Sequence, residues 1–178
     1  MMERPRKKLK RIEHPNHARF LTFSCYQQLA LFENDAIKDV FVEELEVARE
    51  RAGFGMFAWV VMPEHVHLLL WPRVEAWPVS RVCWLLKRGV ARRVIGRWRE
   101  LDAPVLDRLG SPPRFWQRGG GYDRNILGGT EFAEKMAYIH ENPVRRGLAE
   151  RAVDWRWSSA RWYVEGEGLA MDRVEKPG

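Results

Sequence analysis

Phe54-Gly-Met-Phe-Ala-Trp-Val-Val-Met-Pro-Glu-His-Val-His-Leu-Leu-Leu-Trp71 decides the fold. Two apolar runs, Phe54 to Met62 and His65 to Trp71, meet at Pro63-Glu64, where the proline interrupts any regular element. The pattern predicts an antiparallel hairpin. A strand points alternate residues to one face, so His65 and His67 come together at the start of the second strand.

Upstream, Arg19-Phe-Leu-Thr-Phe-Ser-Cys-Tyr-Gln27 mixes aromatic and β-branched residues in near-alternation, which suits a first strand. Asn34 is placed to cap a helix running through Ala52, with Ile37, Val40, Phe41, Leu45 and Ala48 on one stripe and Gly53 as the stop. Downstream, Pro72 and Pro78 bracket a short linker, and Ser80 can cap a second helix from Arg81 to about Glu100. The Pro-, Gly- and Arg-rich stretch from Leu101 to Gly121 reads as an exposed connection in which Phe115-Trp-Gln117 begins a further strand. Thr130 can cap a third helix that Pro143 must end or kink. The order β-α-β-β-α-β predicts an α+β, ferredoxin-like and RRM-like antiparallel sheet with helices packed on one face, the third helix lying against it. The domain reading is a basic arm over residues 1–18, a catalytic domain over 19–164 and a loose tail over 165–178.

A chain of 178 residues can bury a core without disulfides, and its only cysteines, Cys25 and Cys83, match no zinc or redox spacing. Both are expected to be buried small hydrophobes. The basic start, Met1 to Arg11, is followed by no apolar segment of a secretory leader, and no stretch has the length of a membrane span, so a cytoplasmic location is expected. A formal charge of +6 points toward a polyanionic partner. Arg4, Arg6, Lys7, Lys8, Lys10 and Arg11 form an arm that could order on a phosphate backbone. The second helix carries Arg81, Lys87, Arg88, Arg92, Arg93, Arg97 and Arg99 with no acid before Glu100; it is read as a nucleic-acid surface, the plain alternative being a solvated face. Between Val144 and Tyr163, Arg145, Arg146, Arg151, Arg156 and Arg161 are interleaved with Trp155, Trp157 and Trp162; of the chain's nine tryptophans, four tyrosines and eight phenylalanines most must be core, with a few left to stack on unpaired bases.

Three explanations of the His-x-His pair stay open. The pair is coincidental; or it binds zinc with a third ligand such as His14, His17 or His140; or it joins an oxygen donor to hold Mg²⁺ or Mn²⁺ for phosphoryl chemistry. Asn142 offers such an oxygen. It lies one helical turn beyond Tyr138, so the two side chains aim at one region over the sheet. A phenol ordinarily titrates near about 10, and a neighbouring divalent cation favours the phenolate. Attack on a phosphodiester would give an enzyme-bound phosphotyrosine and a free hydroxyl, with the bond energy kept for rejoining. No P-loop appears, and no nucleotide cofactor is expected. Tyr122 is the second candidate nucleophile, and Gly119-Gly-Gly121 could let the backbone approach a phosphate.

Val60-Val-Met-Pro-Glu-His-Val-His-Leu-Leu-Leu-Trp-Pro72, Phe115-Trp-Gln-Arg-Gly-Gly-Gly-Tyr-Asp-Arg-Asn-Ile126, Tyr138-Ile-His-Glu-Asn-Pro-Val-Arg-Arg-Gly-Leu148 and Trp155-Arg-Trp-Ser-Ser159 together resemble the REP-associated tyrosine transposases, part of the HUH group of single-strand DNA transposases. The resemblance runs in consistent order from Phe20 to Tyr163. It implies a metal on the His65/His67 strand and Tyr138 as the nucleophile that cleaves and rejoins single-stranded DNA. Asn142 stands where the superfamily supplies a polar third ligand. The implied partners are palindromic hairpins repeated outside bacterial genes, bound by a monomer, with DNA contacts expected from the arm, Lys87, Arg88, Arg92, Arg145 and Arg146. Such a protein would be associated with the nucleoid when bound to DNA. Gly128-Gly129 departs from relatives, which often carry acidic residues before the tyrosine helix. Two other classes remain: a binding module that keeps the fold without turnover, and a zinc-dependent hydrolase of small molecules built on the same pair.

Overall fold

The computed structural model describes residues 17–72, 78–119 and 121–168. The cations of the expected arm, from Arg4 to Arg11, lie outside the described residues, as do His14, Gly120 and residues 169–178. Four strands, β1 (Ala18–Ser24), β2 (Gly55–Val61), β3 (His65–Trp71) and β4 (Tyr122–Ile126), form one sheet in the order β2-β3-β1-β4. Every pairing is antiparallel. With α1 (Asp35–Ala52) between β1 and β2 and α2 (Val79–Glu100) between β3 and β4, this is the expected α+β ferredoxin-like unit. Two further helices follow, α3 (Gly129–Arg145) and the short α4 (Ala160–Glu165).

The strands sort their side chains by parity. Leu21 and Phe23 of β1, Trp59 and Val61 of β2, and Val66, Leu68 and Leu70 of β3 face α1 and α2, whose Phe41, Leu45, Ala48, Val82, Leu86 and Val90 complete the larger core. Phe20, Val60, Leu69 and Ile126 point the other way, against Phe132, Met136 and Ile139 of α3. The single helical face predicted from the sequence therefore holds α1 and α2, the helices of the β-α-β-β-α-β unit, whereas α3 covers the opposite face. Because both parities of these strands are apolar, a second layer is required.

Local chemistry explains most element ends. The Asn34 side chain accepts from the Ala36 N–H at 2.9 Å, and Gly53 closes α1 in the left-handed conformation at φ 66°. Several readings shift. Helix α2 begins at Val79 behind Pro78, so Ser80 lies inside its first turn, where the preset φ of proline and the buried Val79 fix the start. Gly128, not Thr130, is the residue before α3, and Glu131 reaches back to the Leu127 N–H at 3.1 Å. Pro143 sits inside α3, which runs on only to Arg145. The fourth strand is Tyr122–Ile126, and Phe115-Trp-Gln117 contributes one bridge, Cys25 to Trp116, with both rings packed into the core. Gly121 has φ 72°, and a Cβ there would meet the Thr22 carbonyl at 2.1 Å, so its bareness serves strand contact.

The Trp155-Arg-Trp-Ser-Ser159 segment is an edge seal. The Val61 N–H donates to the Trp157 carbonyl at 2.9 Å, the Ser159 N–H to the Trp59 carbonyl at 3.0 Å, and the Trp155 indole to the Val61 carbonyl at 2.9 Å. These bonds cover the outer edge of β2, where an open strand would otherwise present unpaired backbone groups. Trp157 donates its indole N–H to Asp39 at 2.9 Å, and the Lys38 ammonium lies 4.1 Å over its ring. These two tryptophans are therefore committed to the fold rather than to bases.

Candidate metal and tyrosine centre

Strand β3 brings His65 and His67 onto the face covered by α3, with their Nε2 atoms 3.0 Å apart. Each ring is held from behind. His65 Nδ1 lies 3.0 Å from Glu64 Oε1, and His67 Nδ1 lies 2.7 Å from Thr22 Oγ1, the residue opposite it on β1. An ionised carboxylate only accepts, so His65 Nδ1 carries the proton and its Nε2 is a lone pair. A threonine hydroxyl can donate or accept. The Nε2 of His67 can thus donate to His65, or, with Nδ1–H turned to Thr22, present a second lone pair to a shared cation.

Burial keeps both rings neutral. It pushes His67 down to about 3, helped by the neighbouring His65 and by the Lys135 ammonium. It lowers His65 as well, partly opposed by Glu64. Burial would raise Glu64, but hydrogen bonds from Arg146 and His65 outweigh it and hold the carboxyl below its ordinary range. Neutral imidazole is the ligating form.

Helix α3 delivers the tyrosine to the same place. The Tyr138 ring lies 5.3 Å from the His67 ring at 73°, and 6.1 Å from the Phe20 ring. Phe20 in turn stacks on His67 at 5.4 Å. Tyr138 is 36% exposed while His67 is only 4% exposed, so a large substrate can reach the phenol from outside. Lys135 and Arg145, one on each side along the helix, lie 5.9 Å and 5.4 Å from the Tyr138 ring centre. Arg146 donates to Glu64 Oε1 at 2.8 Å. Asn142 is 6% exposed and lies midway on α3 between the residue that touches His67 and the one that grips Glu64.

The 3.0 Å between the two Nε2 atoms is a hydrogen-bond distance; with both lone pairs turned inward, the same two nitrogens are of the type that ligates a divalent cation. Among the described residues no group of three His, Cys, Asp or Glu side chains converges as a closed zinc site would require. His140 is turned elsewhere: its Nε2 pairs with Ser159 Oγ at 2.9 Å, and burial lowers its pKa to about 4.

The other sequence-derived residues divide. Arg145 and Arg146 come to the centre. Lys87, Arg88 and Arg92 ride on α2, across the sheet; the Lys87 ammonium lies 4.7 Å over Phe23, and the Arg88 guanidinium 4.9 Å over Trp84. Arg93 pairs with Glu43 at 2.6 Å, and Arg97 with Glu100 at 2.9 Å. Tyr122 is exposed at the β4 edge, its ring 6.0 Å from Phe20. Thr22, Glu64 and Lys135 were not singled out from the sequence. Thr22 becomes visible only once β1 is registered against β3, and Lys135 only as the residue one turn before Tyr138. Cys25 and Cys83 are buried thiols, as expected, and burial pushes the Cys25 thiol up to about 12.

No family model matches the chain. A curated REP-associated tyrosine transposase of Escherichia coli K12 is 29% identical over 119 residues, covering 65% of this chain. The match spans 59% of the length of that relative. A solved structure of a REP-associated tyrosine transposase bound to a REP hairpin superposes with a TM-score of 0.68 at 17% identity, over 96% of this chain and 99% of that one. Among the described residues no helix is long and apolar enough to cross a membrane. The chain is therefore similar in sequence to a REP-associated tyrosine transposase and has the fold of one.

Proposed function

We propose that the protein is a transposase-like enzyme that cleaves and rejoins single-stranded DNA at repeated palindromic hairpins, with Tyr138 as nucleophile. The observation that carries the reading is the placement of the Tyr138 ring 5.3 Å from His67, whose Nε2 lies 3.0 Å from that of His65. His65, His67 and Asn142 would hold Mg²⁺ or Mn²⁺. When bound, the cation supplies polarisation of a nonbridging phosphate oxygen and neutralises charge on the departing one.

Tyr138 attacks the phosphorus through its phenolic oxygen. One P–O bond to tyrosine forms as the phenol gives up its proton, one P–O bond to a deoxyribose oxygen breaks, and that departing oxygen takes up a proton and leaves as a hydroxyl. Attack by a strand hydroxyl on the phosphotyrosine reverses the exchange and restores the phenol. Lys135 and Arg145 flank the ring and bind the phosphates on either side of the scissile one, which keeps the strand in line with the nucleophile. The arm and the outer face of α2, through Arg88 and Arg92, would hold DNA further from the cleavage point. The similarity to a relative named as a REP-associated tyrosine transposase, and to one solved with a REP hairpin, supports hairpin DNA as the partner class.

The test uses the full chain with end-labelled single-stranded hairpins and Mn²⁺. Wild type should yield cleaved strand and a protein-linked label, and Tyr138→Phe should bind the hairpin without yielding either. Cleavage that survives both chelator and Tyr138→Phe would remove the proposed chemistry. Binding without cleavage by wild type would leave a nucleic-acid-binding module.

A further inference from the structure

The β2–β3 turn contains a carboxylate that does two things with one oxygen. Glu64 Oε1 accepts from His65 Nδ1–H at 3.0 Å and from Arg146 Nη1 at 2.8 Å. Arg146 is the residue that closes α3, the tyrosine helix. The turn itself is pinned to neighbouring chain: the Cys25 N–H donates to the Glu64 carbonyl at 2.8 Å, the Phe32 N–H to the Pro63 carbonyl at 2.9 Å, and the Met62 N–H to the His65 carbonyl at 2.8 Å. The Glu64 side chain is 19% exposed and that of His65 14%, so water competes weakly for their contact.

We infer that Glu64 is a positioning residue that joins the two halves of the centre: it fixes His65 with its Nε2 lone pair toward His67, and through Arg146 it seats the end of the helix that carries Tyr138. The inference rests on the proposed metal reading and adds to it a residue outside the ligand set. A ligating histidine needs its second nitrogen engaged, or the ring turns and the tautomers mix. Arg146 lies two helical turns beyond Tyr138, roughly 12 Å along the axis at about 1.5 Å per residue, so freeing that end loosens the angle at which the phenol meets His67. An exposed ion pair alone would be worth little. Here the pair is anchored on a backbone turn that is already rigid, and the shared oxygen makes its two tasks interdependent.

The experiment compares wild type, Glu64→Ala, Glu64→Gln and Arg146→Ala as full-length chains. In the metal-free proteins, long-range ¹⁵N–¹H correlation of the His65 ring reads the tautomer directly. Wild type and Arg146→Ala should show Nδ1–H alone, and Glu64→Ala a mixture. Calorimetric titration with Mn²⁺ should show Glu64→Ala weakened by about 10–100-fold and Glu64→Gln less, because the amide oxygen still accepts from Nδ1–H. Arg146→Ala should keep Mn²⁺ affinity within about fivefold while slowing formation of the covalent adduct in a single turnover. A wild-type tautomer in Glu64→Ala, or unchanged Mn²⁺ affinity in both Glu64 variants, overturns the inference. If wild type itself takes up no Mn²⁺, the metal reading fails instead, and the tautomer measurement still decides whether Glu64 orients His65.

Discussion

The two faces of the sheet are built from the same strands and differ in what their helices bring. On one face, α1 and α2 meet Leu21, Phe23, Leu68 and Leu70 with apolar side chains; Arg93 of α2 pairs with Glu43 and Glu44 of α1, and Arg88 stacks on Trp84. On the other, α3 sets Tyr138, flanked by Lys135 and Arg145, against the buried His67. The first face stabilises the fold; the second gives up part of its apolar area to two imidazoles and a phenol. A count of positive charges along the sequence points to α2, which lies across the sheet from His65, His67 and Tyr138.

The contrast can be broken most severely at the tyrosine. Tyr138→Phe removes the nucleophilic oxygen but leaves the ring against His67 and Phe20, so adduct formation should fall by at least about 10³-fold, roughly 4 kcal/mol of barrier, while hairpin affinity and the melting temperature stay near wild type. A comparable free energy on the opposite face should appear only as stability. Phe41→Ala empties a fully buried site and should cost about 3–5 kcal/mol in urea denaturation, with cleavage per folded molecule unchanged. A large loss of cleavage in folded Phe41→Ala would mean that the faces are not separable.

Charge changes sharpen the same comparison at smaller amplitude. Lys135→Ala and Arg145→Ala should each slow single-turnover cleavage by about 10-fold or more, since a charge-assisted contact to phosphate is worth about 1.5–3 kcal/mol. Arg88→Ala and Arg92→Ala should leave that rate alone. Each should lower the slope of log affinity against log salt by about 1 if it touches a phosphate. A rate effect from the α2 pair with none from the α3 pair would invert the assignment.

Acid stability probes the buried rings that distinguish the second face. His67 and His140 are held in the folded chain at about 3 and about 4, below their ordinary value of 6.5. The unfolded chain therefore binds more protons as pH falls, so folded stability is full above about pH 6.5 and declines toward pH 4. Urea midpoints of the metal-free protein should follow that course. His140→Gln should remove the part due to His140 and leave the part due to His67. A flat profile across this window would contradict the buried neutral rings.

The hairpin that carries the histidines was legible because its evidence is local: two apolar runs, a Pro-Glu junction and period-two spacing put His65 and His67 on one face without knowledge of any other strand. The Tyr138/Asn142 spacing was legible for the same reason, being one turn of helix. What lay beyond the sequence was relational. Thr22 meets His67 only through the β1–β3 register, and Glu64 meets Arg146 across 82 residues of chain. Which face α3 covers was not legible because both parities of β1 and β3 carry buried apolar residues, so periodicity does not say which side a later helix covers. The role of Trp155 and Trp157 was not legible because an edge that needs sealing is visible only in the assembled sheet.

The most direct test of the central claim is the site of the covalent bond. Wild-type protein is incubated with a single-stranded hairpin and Mn²⁺, digested, and the nucleotide-linked peptide sequenced by mass spectrometry. The expected result is a phosphotyrosyl bond at Tyr138 that disappears in Tyr138→Phe; a bond at Tyr122, or cleaved DNA with no linked peptide, would contradict it.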